Sequence, residues 1–368
     1  MIRSYKLILT LLFLTSCSVN QAEIIIREEY SEINLSDPWV VSEPSLSGVE
    51  NLKSISEKAS KMERLTSLAI IRDGKIVFEE YFRDQSKTSL HDVRSVTKSI
   101  ISLLTHIAIK EGFITSLEDP IWKYLKDTGF ELSEEQKEIK IIHLLTMSSG
   151  FEWLENSGND FVDWVRSDQH IEFLLNRELI NEPGSEFTYN SAAVHLLGVI
   201  IQEGSGIGLD NFAEEYFFSK IGVEQAYWET MSNGYKNGGA GIRSRTRDLA
   251  RIGQLMLQDG RSGEDQIIEE NWVYESTAPY YDWRADYGDL QNYTYGYLWW
   301  VKEIDDTQKA GYLAWGYGGQ FIYVVPAKNL VIVTTNDWRN ASSVGGSSVL
   351  ELETFNLIFN HILPKVRD

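Results

Sequence analysis

The chain has 368 residues, 43% of them hydrophobic and 24% charged, which suits one large globular domain or two modest ones. Lysine plus arginine total 34 against 54 acids, and a formal charge of −20 repels a phosphate backbone, which argues against nucleic acid as a partner. A single cysteine excludes an intrachain disulfide.

The N-terminus reads as an export signal. Arg3 and Lys6 give a positive start, Leu7 to Leu14 a short apolar run, and Leu14-Thr15-Ser16-Cys17 then resembles the lipobox of bacterial lipoproteins. Residues 1–16 are therefore expected to be a signal peptide, with Cys17 lipidated as the first mature residue. The apolar run is too short to span a bilayer as a helix. The expected membrane link is thus a lipid anchor, on an exported protein facing the periplasm or the cell exterior. Residues 17–47 carry acids, Pro38, Pro44 and no sustained periodicity, and suit a tether; the domain is expected over 48–366.

Asn51 to Arg64 has helical spacing, with Leu52, Ile55, Ala59 and Met62 on one side. Leu65 to Ile71 and Ile76 to Phe82 flank Arg72-Asp73-Gly74-Lys75, a hairpin signal in which Gly74 supplies the positive φ such turns need. Residues 91–284 are mostly helical pattern broken by glycine-bearing loops. Within them Ser95 to Lys110 is apolar on most faces, which places that helix in the core, and Gly112 is its expected stop. From about 295 the strand pattern returns: Phe321–Val325 and Leu330–Thr335 flank Pro326-Ala327-Lys328-Asn329, and a last helix covers about 347–362. Strands at both ends (48–90 and 285–366) around a helical middle predict an α+β fold, one sheet built from both termini with a cleft beside the insertion.

Ser95-Val96-Thr97-Lys98 is the one S-x-x-K in the chain. On a helix, residues three apart share a face, so the amine reaches the hydroxyl. Serine is a weak nucleophile until a base takes its proton, and lysine serves as that base only if burial lowers its pKa. Lysine is seldom buried without cause, and this one heads the most apolar helix. Ser95 is the expected nucleophile and Lys98 its base, with free N–H groups at the helix start stabilising the developing anion.

Several segments in order then resemble one family, the serine hydrolases related to class C β-lactamases, D-alanyl-D-alanine carboxypeptidases and family VIII esterases, with likeness to 6-aminohexanoate-oligomer hydrolases. They are Arg94-Ser95-Val96-Thr97-Lys98-Ser99, His143 to Gly150, Pro183 to Ser191, Gly239-Ala240-Gly241-Ile242 leading to Arg247-Asp248-Leu249-Ala250, Tyr295-Gly296-Tyr297, and Gly316-Tyr317-Gly318-Gly319-Gln320. The resemblance spans about 48–365. It implies a β-lactamase/penicillin-binding-protein transpeptidase-like fold: an antiparallel sheet from both chain ends flanked by helices, with a mostly helical insertion.

It also implies two further catalytic elements. Three segments fit the family's Y-x-N loosely, at Tyr189, Tyr235 and Tyr274, and Tyr189 has the family context: a Pro183-Gly184 turn before and an apolar stretch after. Tyr189 is taken as general acid/base, helped by Lys98. Its motif reads Tyr189-Asn190-Ser191, with serine at the usual asparagine position and either Asn190 or Ser191 as the substitute that contacts substrate. Ala314-Trp315-Gly316 stands where the family has K-T-G or H-T-G, so the cation that helps hold a substrate carboxylate is missing. Trp315 and Gly316 are expected to line the cleft, and the N–H groups of Ser95 and Tyr317 to form the oxyanion hole.

The six histidines show no H-E-x-x-H spacing and the cysteine is assigned to the anchor, so no metal and no cofactor are expected. No G-x-S-x-G elbow occurs, against a Ser-His-Asp hydrolase. The leading expectation is cleavage of small esters or amides through an acyl-enzyme. The alternatives are a D-Ala-D-Ala carboxypeptidase or β-lactamase-like cell-wall enzyme, and a ligand-binding lipoprotein that never turns over.

Overall fold

The computed structural model describes residues 33–367 apart from 156, 232, 306 and 307. The signal segment and Cys17 lie outside the described residues. Helix α1 (Leu52–Ala59) opens with Asn51, whose side chain accepts the Ser54 N–H and caps the first turn. Strands β1 (Leu65–Arg72) and β2 (Lys75–Tyr81) form the expected hairpin. Asp73 (φ 50°) and Gly74 (φ 69°) both take positive φ, as a turn matching the right-handed twist of its strands requires.

The returning strands are β8 (Ala285–Tyr287), β9 (Leu290–Tyr295), β10 (Trp300–Asp305), β11 (Gln308–Gly316), β12 (Gln320–Val325) and β13 (Leu330–Asn336). With the hairpin they make an eight-stranded sheet ordered β2-β1-β13-β12-β11-β10-β9-β8. β1 pairs antiparallel with β13, so the two chain ends meet inside one sheet. β12 and β13 are buried along their whole length because both sheet faces are covered. One face packs on α1, α6 (Ser347–Asn356) and the turns up to Ile362; the other packs on the insertion.

The insertion is built on two buried helices, α2 (Val96–Lys110) and α4 (Ser191–Ser205), with α3 (Asp160–Arg166) nearby and α5 (Thr246–Leu257) lying on the sheet. α2 is buried without interruption from Val96 to Ala108. Its hydroxyls fasten it to both halves: Thr97 Oγ1 accepts the Ile242 N–H (3.1 Å), and Ser99 Oγ donates to Leu298 O (2.7 Å). The insertion also carries a small sheet the periodicity did not signal, β3 (His91–Asp92), β5 (Ile242–Ser244) and β4 (Ala226–Trp228), in the order β3-β5-β4. These strands are two or three residues long, too short for an alternation to register. A two-stranded ribbon, β6 (Arg261–Ser262) and β7 (Asp265–Gln266), completes it.

The tether needs correcting over 33–47, which lies packed on the domain. Leu35 is buried in the core, its N–H donating to Ser262 Oγ (2.9 Å); Trp39 Nε1 donates to Arg247 O (3.3 Å); and Val41 bridges to Ile76 at the sheet edge. The anchoring apolar residues are scattered among polar ones, so they dock one at a time and leave no period to read.

Candidate active site

Ser95 sits immediately before α2, at the end of a sharp approach. Arg94 takes φ 51°, uncommon for a residue with a Cβ, and its N–H is received by Asp92 Oδ1 (3.3 Å). The Arg94 guanidinium lies over Trp338 (4.4 Å to the ring centroid) and faces Phe161 of α3 (5.5 Å). The chain thus turns abruptly, half-exposing Ser95 while Lys98, one turn on, points inward.

Lys98 Nζ lies 2.8 Å from Ser95 Oγ and donates to Gly239 O at 2.6 Å. The amine is 1% exposed, and loss of hydration brings its pKa down to about 7; Glu155 opposes that fall and Arg94 adds to it. The Tyr189 ring stands 5.0 Å from Lys98 Nζ, which is itself bonded to Ser95, so the tyrosine closes the other side of the pair. Burial pushes this phenol well above its ordinary value, Glu155 reinforces the rise, and the Ser95 hydroxyl opposes it. Near neutral pH the pair can therefore stand as an uncharged amine and an uncharged phenol on either side of one serine hydroxyl, a base and an acid ready for proton transfer. Trp300 stacks on Tyr189 (5.9 Å, 20°) and fixes the ring.

The other tyrosine candidates are elsewhere. Tyr235 OH donates to Glu203 Oε1 (2.9 Å), and Tyr274 is 65% exposed on the short helix Glu270–Ser276.

Strand β11 closes the site from the sheet side. A Cβ on Gly316 would fall 2.1 Å from Val93 O, so only glycine lets the strand approach the chain entering Ser95 this closely. Tyr317 follows, and Gly318 N donates to the buried Glu351 of α6 (2.8 Å), which fixes the turn. Among the described residues, neither the Ser95 nor the Tyr317 N–H is given to a protein acceptor. The first-turn N–H groups of α2 are different: Val96, Thr97 and Lys98 donate to the carbonyls of Val93, Arg94 and Ser95. The expectation of free donors at the helix start is corrected to this extent, because the turn is tight enough to use them.

Three substrate-contact expectations also change. Trp315 does not face the cleft: alternation along β11 sends its ring, with Leu313, to the opposite sheet face against Phe321 and Phe355, while Ala314 points toward the insertion and is fully buried. Asn190 is fully buried and caps α4, its Oδ1 accepting the Ala193 N–H (2.9 Å). Ser191 is fully buried too, its Oγ donating to Glu155 Oε1 and its N–H to Glu155 Oε2 (3.0 Å). Ser191 and the Asn190 amide oxygen are thus committed to the helix start. Glu155, Trp300 and Glu351 were not signalled by the sequence, since each is placed by contacts tens of residues away along the chain.

A sheet drawn from both chain ends, with serine, lysine and tyrosine gathered beside the end of its strand β11, defines a serine hydrolase. The chain belongs to the Beta-lactamase family, whose profile matches residues 60–347. It is 24% identical over 334 residues to the 6-aminohexanoate-dimer hydrolase of Paenarthrobacter ureafaciens, covering 82% of this chain and 80% of that protein. In fold it is similar to the octameric penicillin-binding protein homologue from Pyrococcus abyssi (TM-score 0.64, 20% identity, 84% of this chain and 76% of that one). It is also similar to the D-alanine carboxypeptidase AmpC from Burkholderia cenocepacia (TM-score 0.59, 15% identity, 84% and 99%).

Proposed function

We propose that this hydrolase cleaves small esters or amides through an acyl-enzyme on Ser95. The observation that carries the reading is a fully buried lysine amine 2.8 Å from a half-exposed serine hydroxyl. Neutral Lys98 takes the Ser95 proton as Oγ attacks the substrate carbonyl. The carbonyl oxygen becomes an oxyanion facing the N–H groups of Ser95 and Tyr317. As the tetrahedral adduct collapses, Tyr189 gives its proton to the leaving alcohol or amine and recovers one from Lys98. Water then attacks the acyl-enzyme with the same groups working in reverse, releasing the acid and restoring Ser95 Oγ–H.

Buried Ala314 supplies no cation for a substrate carboxylate, which supports uncharged acyl groups over cell-wall peptides and β-lactams. The relative from Paenarthrobacter ureafaciens is a 6-aminohexanoate-dimer hydrolase, which supports the amide reading for this chain. We further infer export and lipid anchoring at Cys17, supported by Arg3, Lys6 and the apolar run before the cysteine.

The test combines fluorophosphonate labelling with a panel of p-nitrophenyl esters, short amides, D-Ala-D-Ala peptides and a chromogenic cephalosporin. Labelling should fall on Ser95 and vanish in Ser95→Ala, with short esters turned over fastest. Labelling of another serine overturns the nucleophile; faster cephalosporin or D-Ala-D-Ala turnover overturns the substrate class; labelling without turnover of any substrate supports a binding protein.

A further inference from the structure

Glu155 lies in the loop between Gly150 and α3, and no motif drew attention to it. Both of its carboxylate oxygens are engaged. Trp153 Nε1 donates to Oε2 at 2.5 Å, Ser191 N donates to the same oxygen at 3.0 Å, and Ser191 Oγ donates to Oε1. Trp153 and Ser191 are buried, so the three bonds form under cover, where an acceptor withdrawn would leave donors unsatisfied. They fasten the loop to a helix start 36 residues further along the chain. That start is the positive end of α4, a 15-residue helix, where a carboxylate is favoured.

The contacts lead on to the reacting groups. Tyr189 stands two residues before Ser191 on the same approach to α4. On the other side Gly239 is packed so tightly on Ser191 that a Cβ there would lie 2.6 Å from Ser191 O, and Gly239 O is the carbonyl that receives Lys98 Nζ. Glu155, Ser191, Gly239 and Lys98 are therefore one contiguous set. The serine at position 191 fits the same picture: its hydroxyl is spent on Glu155, and the site has a fixed carboxylate behind the lysine and the tyrosine.

We propose that Glu155 is a positioning residue of this active site, which holds the Tyr189–Ser191 segment against Gly239 and supplies the fixed negative charge behind the Lys98–Tyr189 pair. The proposal rests on the Ser95 hydrolase reading above. Its electrostatic part has a definite sign. Glu155 is the opposite charge that counters desolvation of Lys98, so removing it lowers the pKa of that amine further and makes it a weaker base.

The decisive variant is Glu155→Gln, which keeps the shape and loses the charge: its one amide oxygen can still accept from Trp153 Nε1 and the Ser191 N–H, while the amide NH2 can only donate, to a turned Ser191 Oγ. With p-nitrophenyl acetate as probe, the acid limb of the kcat/KM profile should move to lower pH by roughly half a unit or more. Turnover should fall about tenfold, with KM within about threefold of wild type. Ser191→Ala leaves the charge and removes one bond; it should lower kcat by several-fold with the acid limb unmoved, and it decides the matter if Glu155→Gln does not melt cooperatively. A cooperatively melting Glu155→Gln with wild-type kcat and pH profile overturns the proposal, as does an unchanged kcat in Ser191→Ala. Failure of the underlying reading looks different: the wild-type protein itself then shows neither Ser95 labelling nor ester turnover.

Discussion

Lys98 carries a cost that the fold tolerates for a reason local to one hydroxyl. Burying an amine whose hydrogen-bond partners are a hydroxyl and a backbone carbonyl is unfavourable, and its depressed pKa records that. Lys98→Met keeps the volume and removes the charge, so it should abolish turnover, by about 10²–10⁴-fold or more, yet melt higher than wild type. The shift expected is roughly 2–4 °C per kcal/mol of desolvation relieved for a domain of this size. A Lys98→Met protein that melts lower would mean the amine is a structural asset. Tyr189→Phe removes only the hydroxyl and leaves the stacking on Trp300, so activity should fall about 10²–10⁴-fold with little change in melting temperature. Tyr235→Phe and Tyr274→Phe should stay within a few-fold of wild type, because neither hydroxyl approaches Ser95; equal losses in all three would point to a packing effect.

Among the elements, β11 and α2 depend most closely on each other. Ser95 is presented by the start of a helix, the Tyr317 N–H by the residue after a strand, and their separation is set by the close approach of Gly316 to Val93 O. Gly316→Ala places a methyl group into backbone, which has no flexible end to give way. The strand must move outward, and the variant should lose turnover by about 10²-fold, the scale expected for a displaced oxyanion donor, while KM for a small ester changes little. Steady-state kinetics on p-nitrophenyl acetate, beside a thermal melt, separates this from simple unfolding. Wild-type kcat in Gly316→Ala would show that β11 does not set the oxyanion geometry. Glu351 has a related part, since α6 holds the Gly318 N–H and so the turn that follows Tyr317.

Across the whole molecule, the pH dependence of stability follows from groups buried uncharged. Burial lowers the pKa of His91 and His106 to about 4 and that of His195 to about 3, against about 6.5 when unfolded. Between those values the unfolded chain binds more protons than the folded one. Stability is therefore unaffected by these groups above about 6.5 and is lost as pH falls toward 4. Lys98, lowered to about 7, acts at the other end: stability should rise from about pH 7 toward 10.5, and that slope should disappear in Lys98→Met. Denaturant unfolding at intervals from pH 4 to 10 measures both limbs. A flat profile between 4 and 6.5 would mean the three histidines are reached by solvent.

The sequence by itself determined whatever is local. The spacing of Ser95 and Lys98 is one helical turn, the turn at Asp73-Gly74 needs positive φ, and the helix beginning at Val96 is apolar on too many faces to lie anywhere but the core. The strand pattern at both chain ends also pointed to one sheet shared between them, and the family resemblance agreed, which is how β1 comes to pair with β13. Tertiary structure decided what depends on which face of an element looks where. Trp315 was expected at the cleft and lies across the sheet, because a strand sends successive side chains to opposite faces and only the packed sheet shows which face is which. Asn190 and Ser191 were expected to meet substrate and instead secure a helix start, and Glu155, which holds that start, comes from another part of the chain. Contacts of this kind join residues far apart in sequence; no periodicity records them, and they exist only once the chain has closed on itself.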